Sequence, residues 1–307
     1  MGKQDTITKK YMREPNHFAD FFNGYIYNGK EKIKAEDLEE VDISNIAVIP
    51  YSKGTKNITV QKYRDILKKV ILKKSDKVYY LFLGIENQTD IHYAMPVRNM
   101  LYDALVYNQQ IENIAKANRD SDIVTESDEF LSGITKKDKL IPVVTVVVYW
   151  GTKTWDAPVS LKEMLLDVDE ETDVRINDYE CNIFSIIDQD KLPQYHTELQ
   201  ELFALLNARN SGEKLHQLVV NNEAFKDIDK DTAMMMHEFA NIKLPKKSKE
   251  GKYNMCKAIM DLEKENQDIK AVELIKNLMK TSKKSFEEAC ALLLITPADM
   301  KKYKKMI

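Results

Sequence analysis

YRDILKKVILKKSDKVYYLFLGIENQ, Tyr63 to Gln88, separates an α/β chain from an all-helical one. Aliphatic, β-branched and aromatic residues fill two blocks, Ile66–Leu72 and Val78–Ile85, and the polar KKSDK between them marks a turn. Adjacent strands bring Asp65, which opens the first block, near Glu86, which closes the second, although the two are 21 positions apart. Side chains alternate along a strand, so Glu86 and Gln88 share a face. Ile66, Leu67, Val70 and Ile71 also suit a helix, and periodicity alone leaves that choice open.

Working outward, Phe18, Phe21, Phe22, Tyr25 and Ile26 recur at helical spacing before a stop near Gly29, while residues 1–15 read as polar and loose. Ile46–Ile49 suggests a short strand. Met95–Gln110 reads as a helix with Pro96 in its first turn. Asn118–Lys139 is polar with little pattern, a surface excursion. Ile141–Tyr149 is β-branched almost throughout, as a strand covered on both faces should be. Ser160–Leu166 reads as a short helix and Cys181–Ile187 as another strand. After Pro193 the pattern is helical to the end, interrupted by LPKKSKEGK (Leu244–Lys252), the best linker in the chain. Strands alternating with helices, then helices alone, predict an α/β mixed-sheet core flanked by helices with an all-helical C-terminal extension. The expected segments are residues 1–205, a connector at 206–250, and a helical segment at 251–307.

Composition narrows the function classes. The 307 residues are 43% hydrophobic, enough for a sizeable core, and 46 basic against 49 acidic residues leave a net charge of −3. A nucleic-acid surface must therefore come from local clustering. No apolar run approaches the ~20 residues needed to span a bilayer, and MGKQDTITKKYMREP lacks the apolar core of a secretory signal. Cys181, Cys256 and Cys290 make no CxxC pair, so a cytoplasmic protein without membrane contact is expected.

Asp65 and Glu86 suit a hard cation. Mg²⁺ takes oxygen ligands, keeps several waters and needs one or two carboxylates on rigid elements. Such a centre can activate water against a phosphodiester. By spacing alone, a Glu at a strand end serves equally as a solvated turn residue.

Several separated blocks resemble the recombination-promoting nuclease/putative transposase family of the PD-(D/E)XK nuclease superfamily. HFADFFNGYIYNG with AEDLEEVD is similar to the family's opening. YRDILKK resembles its Arg-Asp block at Arg64 and Asp65, and GIENQTDIHYAMPVRNMLYDALVY its Glu-x-Gln block at Glu86, Gln88, Arg98 and Tyr102. IPVVTVVVYWGTKTW is similar to its Pro-rich strand ending in Tyr, Gly and Trp, at Pro142, Tyr149, Gly151 and Trp155. The order is right and the blocks cover about half the chain. The resemblance implies a restriction-endonuclease-like core and a metal-dependent DNA endonuclease associated with recombination or transposition. It implies Mg²⁺ (or Mn²⁺) on Asp65 and Glu86, with Gln88 completing the catalytic set.

Asp20 on the first helix is, by the same likeness, a further candidate acid. Gln88 stands where the wider superfamily carries Lys, though the nuclease family itself commonly has Glu-x-Gln. Arg98 and Tyr102 lie one helical turn apart and face one site, Arg98 being suited to a phosphate or to a surface ion pair such as with Asp103. Tyr102 and Tyr107 fit helix packing better than base stacking, and His92 fits a solvated loop. Lys62, Arg64, Lys68, Lys69, Lys73, Lys74 and Lys77 crowd the first strand. Arg64, Lys68 and Lys69 are the expected phosphate contacts of DNA, the alternative being lysines that guard a sheet edge. Acidic LDVDEETD (Leu166–Asp173) reads as a solvated loop.

At the C-terminus, Ser285–Leu293 and Pro297–Lys305 form two short helices capped by Ser285 and Thr296. Leu294 holds the place of a turn glycine, so a helical hairpin burying Leu292, Leu293 and Ile295 is favoured over a helix-turn-helix. Two other functions remain: a DNA-binding relative without turnover, and a helical interaction protein. A homodimer suits double-strand cutting.

Overall fold

Thr8, Tyr11 and Met12 recur at three- and four-residue spacing and bury one face of a helix, α1 (Lys3–Arg13), where the sequence reading expected a loose segment. In this computed structural model the described residues are all but 1, 42–47, 50–57, 60–64, 75–76, 122, 124–126, 167–174 and 188. They form two units, Met1–Asn207 and Ala208–Ile307.

In the first unit α2 (Pro15–Tyr27) follows α1, with Pro15 in its first turn and the Glu14 carboxylate accepting from the His17 backbone N–H at 2.9 Å. Asn28 and Gly29 end it in the left-handed region, at φ 51° and 84°. Gly29 is required twice over, since a Cβ there would lie 2.8 Å from the Cβ of Gln194. There follow β1 (Leu38–Glu40), β2 (Val48–Ile49), β3 (Ile58–Thr59), β4 (Ile66–Lys74) and β5 (Lys77–Gln88). Next come α3 (Met95–Asp120), α4 (Ser127–Ser132), β6 (Val143–Tyr149), β7 (Asn182–Ser185) and α5 (Leu199–Ala208).

The main sheet runs β1-β4-β5-β6-β7. β1, β4 and β5 pair antiparallel, whereas β5, β6 and β7 pair parallel, so the sheet is mixed. β4 is a strand along its whole length, from Ile66 opposite Ile85 to Lys74 opposite Lys77, which settles the helix alternative. β2 and β3 make a separate two-stranded ribbon. β6 is buried from Thr145 to Tyr149, as its β-branched run requires. Against the sheet packs an aromatic group: Phe21 of α2 meets Phe184 of β7 at 5.4 Å between ring centroids, and Phe203 of α5 meets Trp150 at 5.7 Å and Tyr195 at 5.2 Å.

α3 continues ten residues past the expected end at Gln110. Ala115 and Asn118 are buried, and the Asn118 amide donates to the Gly133 carbonyl at 2.9 Å, tying the extra turns to the loop beyond α4. The expected helix at Ser160–Leu166 is only a single tight turn, Lys162–Met164, because Ser160 bridges back to Glu180 instead. Ile46 and most of LDVDEETD lie outside the described residues.

The second unit holds α6 (Gly212–Val220), α7 (Lys230–Ala240), α8 (Met255–Ser282), α9 (Phe286–Leu292) and α10 (Pro297–Tyr303). Ser285 and Glu288 form a reciprocal capping box on α9, and Thr296 caps α10 ahead of Pro297. Val272 and Ile275 of α8 bury against Ala289, Cys290 and Tyr303. Of the three residues expected to be buried, Leu293 and Ile295 pack only partly against this cluster, while Leu292 is 58% exposed. Among the described residues, no helix is long and apolar enough to cross a membrane.

Candidate functional site

Extending the β4–β5 register one step beyond Ile66 and Ile85 sets Asp65 opposite Glu86. Each takes a backbone N–H from the other's strand. The Asp65 N–H donates to Glu86 Oε2 at 3.3 Å, and the Asn87 N–H donates to Asp65 Oδ2 at 2.9 Å. Both carboxylates are buried, Glu86 completely. Two like charges at this range repel unless cations or protons intervene.

Two cations intervene, from different helices. Lys9 of α1 sets its Nζ 2.8 Å from Asp65 Oδ1, with Asp5 on its other side at 3.4 Å. Arg98 of α3 forms an ion pair with Glu86 Oε1. Gln88, on the same face as Glu86, donates its amide to that oxygen at 3.2 Å. Tyr102, one turn beyond Arg98, accepts from Arg98 Nε at 3.0 Å, and the guanidinium lies over its ring.

The pKa directions follow from this crowding. Burial works against the Arg98 charge, but the Glu86 carboxylate and the Tyr102 hydroxyl outweigh it and hold the guanidinium above its ordinary range. For Lys9 burial likewise opposes the charge, while the hydrogen bond to Asp65 and the charges of Asp65 and Asp5 raise it. Tyr102 is raised by burial and by Glu86, which keeps its hydroxyl neutral and able to hydrogen-bond.

The structure thus brings together Asp65, Glu86, Gln88, Arg98 and Tyr102, and separates others. Asp20 is elsewhere: its two oxygens accept from the N–H of His196 at 3.0 Å and from the N–H and hydroxyl of Thr197 at 2.7 and 2.6 Å. It anchors the approach to α5, which corrects its reading as an accessory acid. Lys68 is also corrected. Its side chain is 1% exposed, and its ammonium is held by the Arg13 carbonyl at 2.7 Å and Glu40 at 2.9 Å. A phosphate would have to unbury it. Lys69 stays partly exposed, bridged to Glu39 at 3.1 Å and lying over Tyr80. Lys62 and Arg64 lie outside the described residues.

Arg98 pairs with Glu86 and not with Asp103, which instead accepts from Thr145 at 2.6 Å and Tyr179 at 2.5 Å. Tyr107 accepts from the Val143 N–H at 3.0 Å, a packing role. His92 accepts from the Ala94 N–H at 3.3 Å, at the start of α3.

Two buried carboxylates supply hard oxygen donors of the kind Mg²⁺ takes, and the cations already seated on them show that this donor set draws positive charge. Among the described residues no third His, Cys, Asp or Glu joins them in a metal-holding group, so water would complete the coordination shell. Lys9 was not foreseen. The signal was present in the three- and four-residue spacing of Thr8, Tyr11 and Met12.

A family model described as putative transposase, YhgA-like, matches residues 2–243. No curated protein and no solved structure matches the chain.

Proposed function

We propose, from the premise that the chain belongs to the family of YhgA-like putative transposases, that the Asp65–Glu86 pair is the centre of a divalent-metal-dependent DNA endonuclease. The observation carrying this reading is the pair itself. Two buried carboxylates face each other across β4 and β5, Glu86 accepting from the Asp65 N–H and Asp65 from the Asn87 N–H, and an arginine from α3 meets Glu86. The mixed sheet carrying them is in keeping with the PD-(D/E)XK superfamily. The family's description associates the chain with transposition.

Asp65 and Glu86 would hold Mg²⁺ or Mn²⁺, which when bound supplies Lewis-acid polarisation of a phosphoryl oxygen. The residues themselves do the rest. Gln88 fixes the orientation of Glu86 through its amide. Tyr102 holds Arg98, whose planar fork suits a phosphate oxygen flanking the cut. In the reaction a water oxygen forms a bond to phosphorus as the bond to the leaving deoxyribose oxygen breaks in line, the attacking water losing a proton to solvent and the leaving oxygen taking one up from it. Lys69, partly exposed on β4 four positions beyond Asp65, suits a more distant backbone phosphate. A double-strand cut needs two such centres, for which a homodimer is the simplest arrangement.

A DNA-binding relative without turnover is the second reading. It is favoured by one feature: position 88 contributes a neutral amide where charge stabilisation is wanted. The test incubates supercoiled plasmid with the protein in Mg²⁺, Mn²⁺ or EDTA, beside Glu86→Ala. Metal-dependent nicking lost in the variant supports the nuclease. Intact plasmid with a salt-sensitive mobility shift supports the binding relative, and neither effect removes DNA from the account.

A further inference from the structure

Two lysines approach the Asp65 end of β4, and they are held in contrasting ways. Lys68 is sealed, with its ammonium divided between a carbonyl and Glu40 and its side chain 1% exposed. Lys9 reaches the site from α1 with a side chain 25% exposed, its Nζ 2.8 Å from Asp65 Oδ1 and 3.4 Å from Asp5. An ammonium has three N–H donors. Asp65 and Asp5 account for two, which leaves a third for an acceptor arriving from solvent.

A phosphoryl group under attack gathers negative charge on its non-bridging oxygens. A cation fixed beforehand in a partly dehydrated site stabilises that charge far better than mobile solvent does. Position 88 cannot supply it, because Gln88 presents an amide and spends it on Glu86. Arg98 spends part of its fork on Glu86 and on Tyr102. Lys9 lies against the other acid of the pair, retains access to solvent, and rides on a helix whose apolar face is anchored by Tyr11 and Met12.

We propose that Lys9 is the phosphate-contacting cation of the centre: its ammonium binds a non-bridging oxygen of the phosphodiester being cut, supplying from α1 the charge that position 88 lacks. This rests on the nuclease reading above. Lys9 forms no covalent bond and transfers no proton in this role. The prime alternative is that Lys9 only balances the charge of Asp65.

Two readouts separate these. The first is nicking of supercoiled plasmid in Mg²⁺ by the wild-type chain, Lys9→Gln, Lys9→Arg and Glu86→Gln. The second is anisotropy of a labelled short duplex in EDTA over a salt series, which needs neither metal nor turnover. Lys9→Gln is expected to nick about 10²-fold more slowly and to bind with a salt slope lower by about one, with a lower melting temperature because Asp65 loses its cation. Lys9→Arg keeps the slope and recovers part of the nicking. Lys9→Met, which retains the packing of the stem on α1, carries the test if Lys9→Gln does not fold. Wild-type rates and slope in both neutral variants, with Glu86→Gln inactive, overturn the proposal and leave the nuclease reading intact. A wild-type chain that never nicks with metal, whatever the variants do, overturns both.

Discussion

Asp268 on α8 and the Asp65–Glu86 pair beside β4 and β5 both set carboxylate against lysine in a partly enclosed place, and they solve different problems. Asp268 is one acid with two donors. Tyr303 donates at 2.9 Å and Lys302 pairs with its other oxygen, closing α10 onto α8 over the cluster of Val272, Ile275, Ala289 and Cys290. Every group there serves the packing. Asp65 and Glu86 are two acids turned toward each other, and the fold recruits cations from α1 and α3 to make that tolerable. Like charges gathered at the end of two strands, each already tied by a backbone amide, are the arrangement on which the proposed metal centre rests.

The comparison breaks first if the two acids behave as structural groups. Asp65→Asn keeps an oxygen for the Asn87 N–H, so its melting temperature is expected to stay within a few degrees of wild type. Its plasmid-nicking rate is expected to fall about 10³-fold, the scale for losing one preorganised group at a reacting centre. Asp268→Asn should do the reverse, leaving nicking untouched while the helical unit melts several degrees earlier. A nicking loss in Asp268→Asn, or an early melt without nicking loss in Asp65→Asn, would erase the distinction.

Lys68 sharpens it next. Its ammonium lies over the Phe18 ring, 5.2 Å from the centroid, and donates to the Arg13 carbonyl that ends α1. Lys68→Ala removes that contact and strands the carbonyl, at a cost of about 2 kcal/mol. Chemical denaturation should show it as a lower midpoint, with the salt slope of DNA binding unchanged. A lower salt slope would return Lys68 to the phosphate surface.

How much of this was legible beforehand varies by residue. The meeting of Asp65 and Glu86 followed from local alternation and one polar turn, and the shared face of Arg98 and Tyr102 from helical spacing, because both are short-range periodicities. Lys68 stands between Ile66 and Val70 on a strand, and both neighbours are fully buried. The alternation that placed Glu86 and Gln88 also placed Lys68 inward, but the count of basic residues nearby masked it. Asp20 was not legible: its partners lie 176 and 177 positions away, and no local pattern announces a carboxylate that anchors a distant loop. α1 fell between these cases. Three buried positions in a polar stretch are a thin stripe, and only the sheet beneath gives them something to cover.

In the helical unit, pH reaches the Asp268 latch from both sides. Tyr303 and Lys302 hold the Asp268 carboxyl below its ordinary 3.8, with Lys302 the larger cause, so its contribution is present above that value and fades as pH falls through the lowered one. Burial, then the bond to Asp268, pushes Tyr303 up to about 12 from 10.0. The folded unit therefore holds that proton more tightly than the unfolded chain. Stability from this source is complete below pH 10 and is lost as pH rises from there through about 12. Melting of the wild-type chain and of Tyr303→Phe across that alkaline window should show a decline that the variant lacks. An equal decline in both would mean that Tyr303 does not govern it.

The smallest effect lies at the turn between α9 and α10. Leu294 sits at φ 54° and is 89% exposed, so its side chain contributes almost no burial while its backbone occupies the left-handed region. For a residue with a Cβ that conformation costs roughly 1–2 kcal/mol, and glycine adopts it freely. Glycine also gives the unfolded chain more freedom, which returns part of the gain. Leu294→Gly is therefore expected to stabilise the helical unit by about 0.5–1 kcal/mol, seen as a small rise in melting temperature with nicking unchanged. Destabilisation would mean that Leu294 is covered in the working protein. An exposed, strained leucine would then be a contact kept for a partner, and the helical unit would hold a residue that its own packing does not require.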